Sequence, residues 1–145
     1  MKTWLMKKKV VIASVIALLM AASAVTVVAS NSVSRRELSA ITRKLLSGWD
    51  IRDRRGGRHL SQGRSYYFST TLFRGSDYLI VGAGDRSVRD LDIELYDENW
   101  NSIDDDNDSD STPVVQVRPR WTGTFYVVVR MYRGRGYSNV AVCYR

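Results

Sequence analysis

Apolar and polar positions divide this chain into four regimes. The first is a basic start, MKTWLMKKK, followed from Val10 to Ala29 by a run of apolar and small residues. In the second, Leu38, Ile41 and Leu45 recur at i, i+3 and i+7, Leu46 widens the stripe and Gly48 follows. That spacing predicts an amphipathic helix over about 35–47, with Ser34 and Glu37 forming an S-x-x-E capping box ahead of it. So short a helix is not stable alone, so its stripe is expected to dock on the domain and cover one end or edge of it.

The third regime, DIRDRRGGRHLSQGR over 50–64, is polar, Arg-rich and punctuated by Gly56, Gly57 and Gly63. It reads as a linker or long loop. The fourth begins at Ser65 and has a strand-like pattern. SYYFSTTLF is rich in aromatic and β-branched residues, and DYLIVGAG follows. In DLDIELYD, Leu91, Ile93 and Leu95 alternate with Asp92, Glu94 and Tyr96, which predicts a strand with one buried and one wet face. A turn over Glu98–Asn101 leads to a short strand near Ser102 and Ile103, then to an acidic loop, DDDNDSDS. PVVQVRP, TGTFYVVVRMY and YSNVAVCY complete the series. Phe125, Val127, Val129 and Met131 share one face, and Arg133-Gly134-Arg135-Gly136 makes a tight turn. About seven short strands at regular spacing predict an antiparallel sandwich or barrel.

These regimes give three parts: a signal peptide at 1–29, a helix and linker at 30–63, and a β domain at 64–145. Lys2, Lys7, Lys8 and Lys9, the apolar run, and the small-residue sites Ala22-Ser23-Ala24 and Val27-Val28-Ala29 have the layout of a secretory signal. A secreted or periplasmic protein is expected. Left uncleaved, the run is long enough to anchor the chain in a membrane. Export also changes the charge. Of 22 basic residues four lie in the signal, leaving 18 against 15 acidic ones, a net charge of +3 in place of +7. With the Arg residues scattered and no recognised motif, no nucleic-acid partner is expected.

Catalytic chemistry is poorly supplied. His59 is the sole His and lies in the Arg-rich segment, while Cys143, the sole Cys, sits in a strand-like run and is expected to be buried. One His and one Cys do not make a zinc site. No enzyme is expected.

The stretch from Tyr66 to Tyr144 resembles the bacterial pre-peptidase C-terminal domain family. The ordered pieces are YYFSTTLFRGSDYLIVGAGD, DLDIELYDENWNSIDDD, PVVQVRPRWTGTFYVVV and YSNVAVCYR. The resemblance implies an all-β fold, a small antiparallel, jelly-roll-like β-sandwich preceded by the short helix. It also implies an accessory or binding role in an exported protein. Members are often appended to secreted proteases, and no protease domain is seen here. The family's turn usually carries Gly where this chain has Trp100.

Calcium is the sharpest candidate cofactor. Asp104, Asp106, Asp108 and Asp110 recur at every second residue, and five negative charges crowd seven residues. Ca²⁺ takes six to eight oxygens in flexible geometry. The run departs from an EF-hand at Ser109 and Val115, and Asp85, Asp90 and Asp97 are further candidates near strand ends. The competing reading is a solvated acidic loop that keeps a sheet edge from aggregating. Trp100 at a hairpin tip is either exposed or folded back on the sandwich, while Trp49 and Trp121 are expected at core margins. The expected function is a non-catalytic binding module for an envelope or extracellular polymer or protein. The alternative is a structural or stress-related envelope protein with no specific ligand.

Overall fold

In the computed structural model of the chain, the residues described are 31–41, 43 and 47–145. The signal-like segment and Leu45 and Leu46 of the helical stripe lie outside them. Eight strands follow a short helix: β1 (Asp50–Leu60), β2 (Ser65–Leu72), β3 (Tyr78–Gly84), β4 (Val88–Tyr96), β5 (Ser102–Asp106), β6 (Val114–Val117), β7 (Gly123–Gly134) and β8 (Gly136–Tyr144). They form two four-stranded antiparallel sheets, ordered β1-β8-β3-β6 and β2-β7-β4-β5. The chain passes from one sheet to the other at every connection except β4–β5, giving a jelly-roll-like sandwich.

The alternation read from the sequence fixes what lies inside. Leu91, Ile93 and Leu95 of β4 and Phe125, Val127, Val129 and Met131 of β7 are buried against Tyr78, Ile80, Val140 and Val142 of the other sheet. The tight turn after β7 is also where it was expected. Gly134 has φ 100°, and a Cβ there would come within 2.5 Å of the Ser87 carbonyl oxygen.

The two sheets differ in what covers them. Residues 31–41 and 43 are helical (α1). Leu38 packs on Leu79, Val81, Ala83, Ala141 and Cys143, with Ile41 and Trp49 alongside. These are the outward residues of β3 and β8, so α1 covers a sheet face, not an end or an edge, and buries both faces of those strands. Cys143 is buried there as expected. Ser34 is not a helix cap, because residues 31–33 before it are already helical. Its hydroxyl is fully buried, donating to the Asn31 carbonyl at 3.0 Å and accepting from Asn139 Nδ2 at 2.5 Å.

The linker reading is corrected over 50–60, which forms β1 along its whole length and pairs with β8. No apolar period marks it because its exposed arginines lay their guanidinium groups over aromatic rings at the edge of the sandwich, where apolar side chains would otherwise stand. Arg52 lies over Phe73 (4.9 Å to the ring centroid), Arg55 over Phe68 (5.8 Å) and Arg58 over Tyr66 (5.0 Å), closing the edge between the sheets. His59 stands edge-on to Tyr137 at 5.2 Å. Gly56 faces Asn139 so closely that a Cβ would lie 1.9 Å from Asn139 Oδ1.

The acidic stretch is corrected as well. Asp104, Asp105 and Asp106 belong to β5, the opposite edge, and only Asp108 and Asp110 lie in the loop beyond. The outward face of β4 is also drier than an alternating strand predicts, since Asp90 and Asp92 are both buried.

Candidate functional site

Among the described residues, α1 packs on the first sheet and no helix lies over the outward face of the second. Its side chains can be laid out from the strand register. One row across β2, β7 and β4 is Ser69, Tyr126 and Tyr96; the next is Tyr67, Val128 and Glu94, with Asp105 of β5 beside Glu94; the third is Ser65, Arg130 and Asp92. Rows are about 7 Å apart and strands about 4.8 Å.

Over the first two rows lies Trp100, carried by the β4–β5 turn. Its ring is stacked on Tyr126, planes 2° apart and centroids 4.5 Å apart. Tyr67 stands nearly perpendicular to both rings, 5.5 Å from Trp100 and 6.0 Å from Tyr126. Tyr96 is tilted against Trp100 at 5.7 Å. The indole is 49% exposed and Tyr67 60%. One face of the indole therefore rests on Tyr126 while the residue stays half open, giving a floor with Tyr67 as its wall.

Asp97 builds the turn that holds the floor. Its buried carboxylate accepts the backbone N–H groups of Asn99 and Asn101 and the side-chain amide of Asn101, all at 2.8 Å. The Asn101 amide contributes most to holding that carboxyl below its usual range. The Trp100 N–H donates to the Asp97 carbonyl at 3.1 Å. Trp100 takes φ 61°, the one left-handed non-glycine residue among those described. This is why glycine would be the usual occupant of such a turn. Next to it, Glu98 accepts from Trp121 Nε1 at 3.1 Å, and Trp121 stacks on Phe125 at the core margin. Trp49 is likewise at a margin, beneath the Arg145 guanidinium.

Carboxylates rim the aromatic floor along β4. Glu94 accepts from the Tyr96 hydroxyl. Asp92 is raised to about 6, first by burial and then by the charge of Asp90, with Arg130 acting against the rise.

The four aspartates of the calcium reading do not converge in this arrangement. Asp104 and Asp106 stand opposite Leu95 and Ile93 and share one face of β5, with Asp105 on the other. Asp106 accepts from the N–H groups of Asp108 and Val114, and Asp110 from the N–H and hydroxyl of Thr112. Among the described residues, no three His, Cys, Asp or Glu side chains gather as a metal site. Asp85, a further candidate, accepts from Ser87 and Tyr137 N–H groups.

Among the described residues, clefts lie elsewhere. One of about 320 Å³ between β1 and β2 is lined by Arg52, Arg55 and Thr residues, and one of about 490 Å³ by Ile51, Phe73 and Tyr144. A third, also about 320 Å³, lies beside α1 between Arg35, Arg54 and Asn139. In the first, Arg52 already donates to the Thr71 carbonyl and Arg55 pairs with Asp53. The sequence singled out Trp100 as a tip aromatic. It gave no sign of Tyr67, Tyr96 and Tyr126 around it, because only the strand register brings them together.

No protein-family model matches the chain, and no curated protein matches it in sequence. Among solved structures it is similar to a periplasmic lysozyme inhibitor of g-type lysozyme from Aeromonas hydrophila, at 10% identity and TM-score 0.49, over 64% of this chain and 85% of that one. It is similar to the pre-peptidase C-terminal domain of a Bacillus anthracis collagenase, at 11% identity and TM-score 0.43, over 56% and 89%. A family GH115 4-O-methyl-α-glucuronidase matches at 8% identity and TM-score 0.37, over 63% of this chain and 16% of that one. The first two are themselves small β domains, one of them from the family that the sequence resembles.

Proposed function

We propose that the chain is a non-catalytic binding module of an exported protein, and that it binds through the open face around Trp100. The observation that carries this reading is the backbone of Trp100. A left-handed residue other than glycine costs about 1–2 kcal/mol, and the indole placed there remains half exposed. Folding alone favours glycine in the turn and a buried indole. An aromatic held against that preference, on a sheet face that no other described element covers, is an arrangement that a ligand would justify.

The nucleophiles and bases support a non-catalytic role. Cys143 lies beneath α1 with its thiol pushed up to about 11 by burial, so it is no thiolate at neutral pH. His59 stands on β1, at the far edge of the first sheet. Asp90 and Asp92 line none of the three clefts described. Export rests on the basic, apolar and small-residue layout of residues 1–29, and the intact mass of the exported protein should lack about 24 or 29 residues.

The binding test is co-sedimentation of the purified protein with isolated envelopes of the producing cells. Trp100→Gly and Tyr67→Ala should each weaken it about tenfold or more, while Phe73→Ala, at the β1–β2 edge, leaves it unchanged. Equal sedimentation of all variants, or none by the parent protein, would overturn the reading in favour of an envelope protein without a specific ligand.

A further inference from the structure

Resting on that reading, we infer that the ligand of the Trp100 face is a polysaccharide carrying free amino sugars. The shape of the site is the first argument. A pyranose ring presents a flat apolar C–H face and a polar rim, two chemistries within one small unit. The site pairs them at the same scale: a flat indole floor with a perpendicular tyrosine wall, and carboxylates one register row away. A protein partner asks for something else. The centre of a protein interface is depleted of charge, and a standard one buries about 800 Å² on each side. Here Glu94 is bonded to a member of the aromatic cluster itself. A rigid, open shelf on a sheet is suited to a chain lying across it, where successive sugars meet floor and rim in turn.

Charge is the second argument. Along β4 and β5 the rim open to a ligand carries the half-buried Glu94 and the exposed Asp105; Asp92 and Asp90 are buried beside them, opposite Arg130 and Arg133 of β7. Carboxylates accept from hydroxyls and are attracted to ammonium groups. They repel uronic acids and sulfated sugars. The acidic side of the shelf therefore selects a cationic amino sugar over a neutral ring and excludes an anionic one. The indole also favours an ammonium held near its face.

The experiment is affinity electrophoresis of the purified protein through gels containing chitosan, glycol chitin or alginate, repeated at low and high salt. Chitosan should retard it most and glycol chitin less, while alginate should not retard it at all. Trp100→Gly and Tyr67→Ala should each weaken chitosan binding about tenfold, and Glu94→Gln severalfold, with the loss from Glu94→Gln shrinking at high salt. Phe73→Ala is the control and should bind like the parent. The inference is overturned if chitosan does not bind, if alginate binds as well, or if Trp100→Gly binds chitosan as the parent does. It is overturned equally if high salt abolishes binding altogether, which would leave a non-specific charge effect. Should envelope binding depend on Trp100 and vanish when the envelopes are treated with protease, the partner is a protein. The module reading then stands and this inference fails.

Discussion

Trp100 lies flat on Tyr126, and the chain accepts a left-handed backbone to put it there. The two effects oppose each other. Replacing Trp100 by glycine relieves about 1–2 kcal/mol of backbone cost and forfeits about 0.5–1.5 kcal/mol of stacking together with the burial of about half the indole, at about 25 cal/mol per Å². Urea unfolding should therefore find Trp100→Gly destabilised by less than loss of the ring alone would cost. Trp100→Ala keeps the strain and loses the ring, so it should be the less stable of the two. A glycine variant no more stable than Trp100→Ala would contradict the backbone cost.

Asp92 gives the fold an inverted acid response. Its carboxyl is raised to about 6, from about 3.9 in an unfolded chain. Between those values the folded state holds a proton that the unfolded state has released. The stabilising contribution is thus complete at low pH and is lost as pH rises through 6. The melting temperature should rise as pH falls from 7 toward 5, and Asp92→Asn should flatten that slope and raise the melting temperature at pH 7. A slope unchanged in Asp92→Asn would assign it to other groups.

Gly56 is required by Asn139. A Cβ there meets the Asn139 amide, which holds the Ser34 hydroxyl of α1. Overpacking costs about 1–3 kcal/mol, so Gly56→Ala should lower the melting temperature by several degrees and loosen α1. Adding Asn139→Ala makes room and should recover part of the loss. Hydrogen exchange over 31–41 reports on the helix directly. A single variant as stable and protected as the parent would contradict the close approach.

Calcium at the acidic edge would have to compete with the amides of Val114 and Thr112 for Asp106 and Asp110. Melts in EDTA and in millimolar calcium should coincide. A rise on the order of 10 °C with calcium, lost when Asp106 and Asp108 are changed to Asn, would place an ion there after all.

How much of this is legible in the sequence depends on what fills the inward positions. β4 and β7 are legible because Leu91, Ile93 and Leu95, and Phe125 through Met131, put an apolar side chain at every second position. β1 is not, since Arg52, Arg55 and Arg58 cover aromatic rings with charged side chains and leave no apolar period. Ser34 and Glu37 match a capping box locally, yet Ser34 answers to Asn139, 105 residues away. The alternating aspartates read as a ligand set, but only Asp104 and Asp106 lie in the strand, while Asp108 and Asp110 sit in the loop beyond it. The aromatic floor needs the register of three strands, which no local pattern carries.

The order of strands also governs when the molecule becomes complete. β4 and β5 are the one hydrogen-bonded pair adjacent in sequence; every other pair joins distant segments, and the first strand is zipped to the last. Such non-local pairing is slow, because loop closure must be met before contacts reward it. The Trp100 turn belongs to the one hairpin that can form early. The first sheet must wait for β8, so a chain emerging from its N-terminus keeps β1 and the edge of β3 that pairs with β8 without a hydrogen-bonding partner until β8 arrives. For that interval the arginines of β1 serve a second purpose: like charges along an unpaired edge discourage neighbouring chains from adding to it.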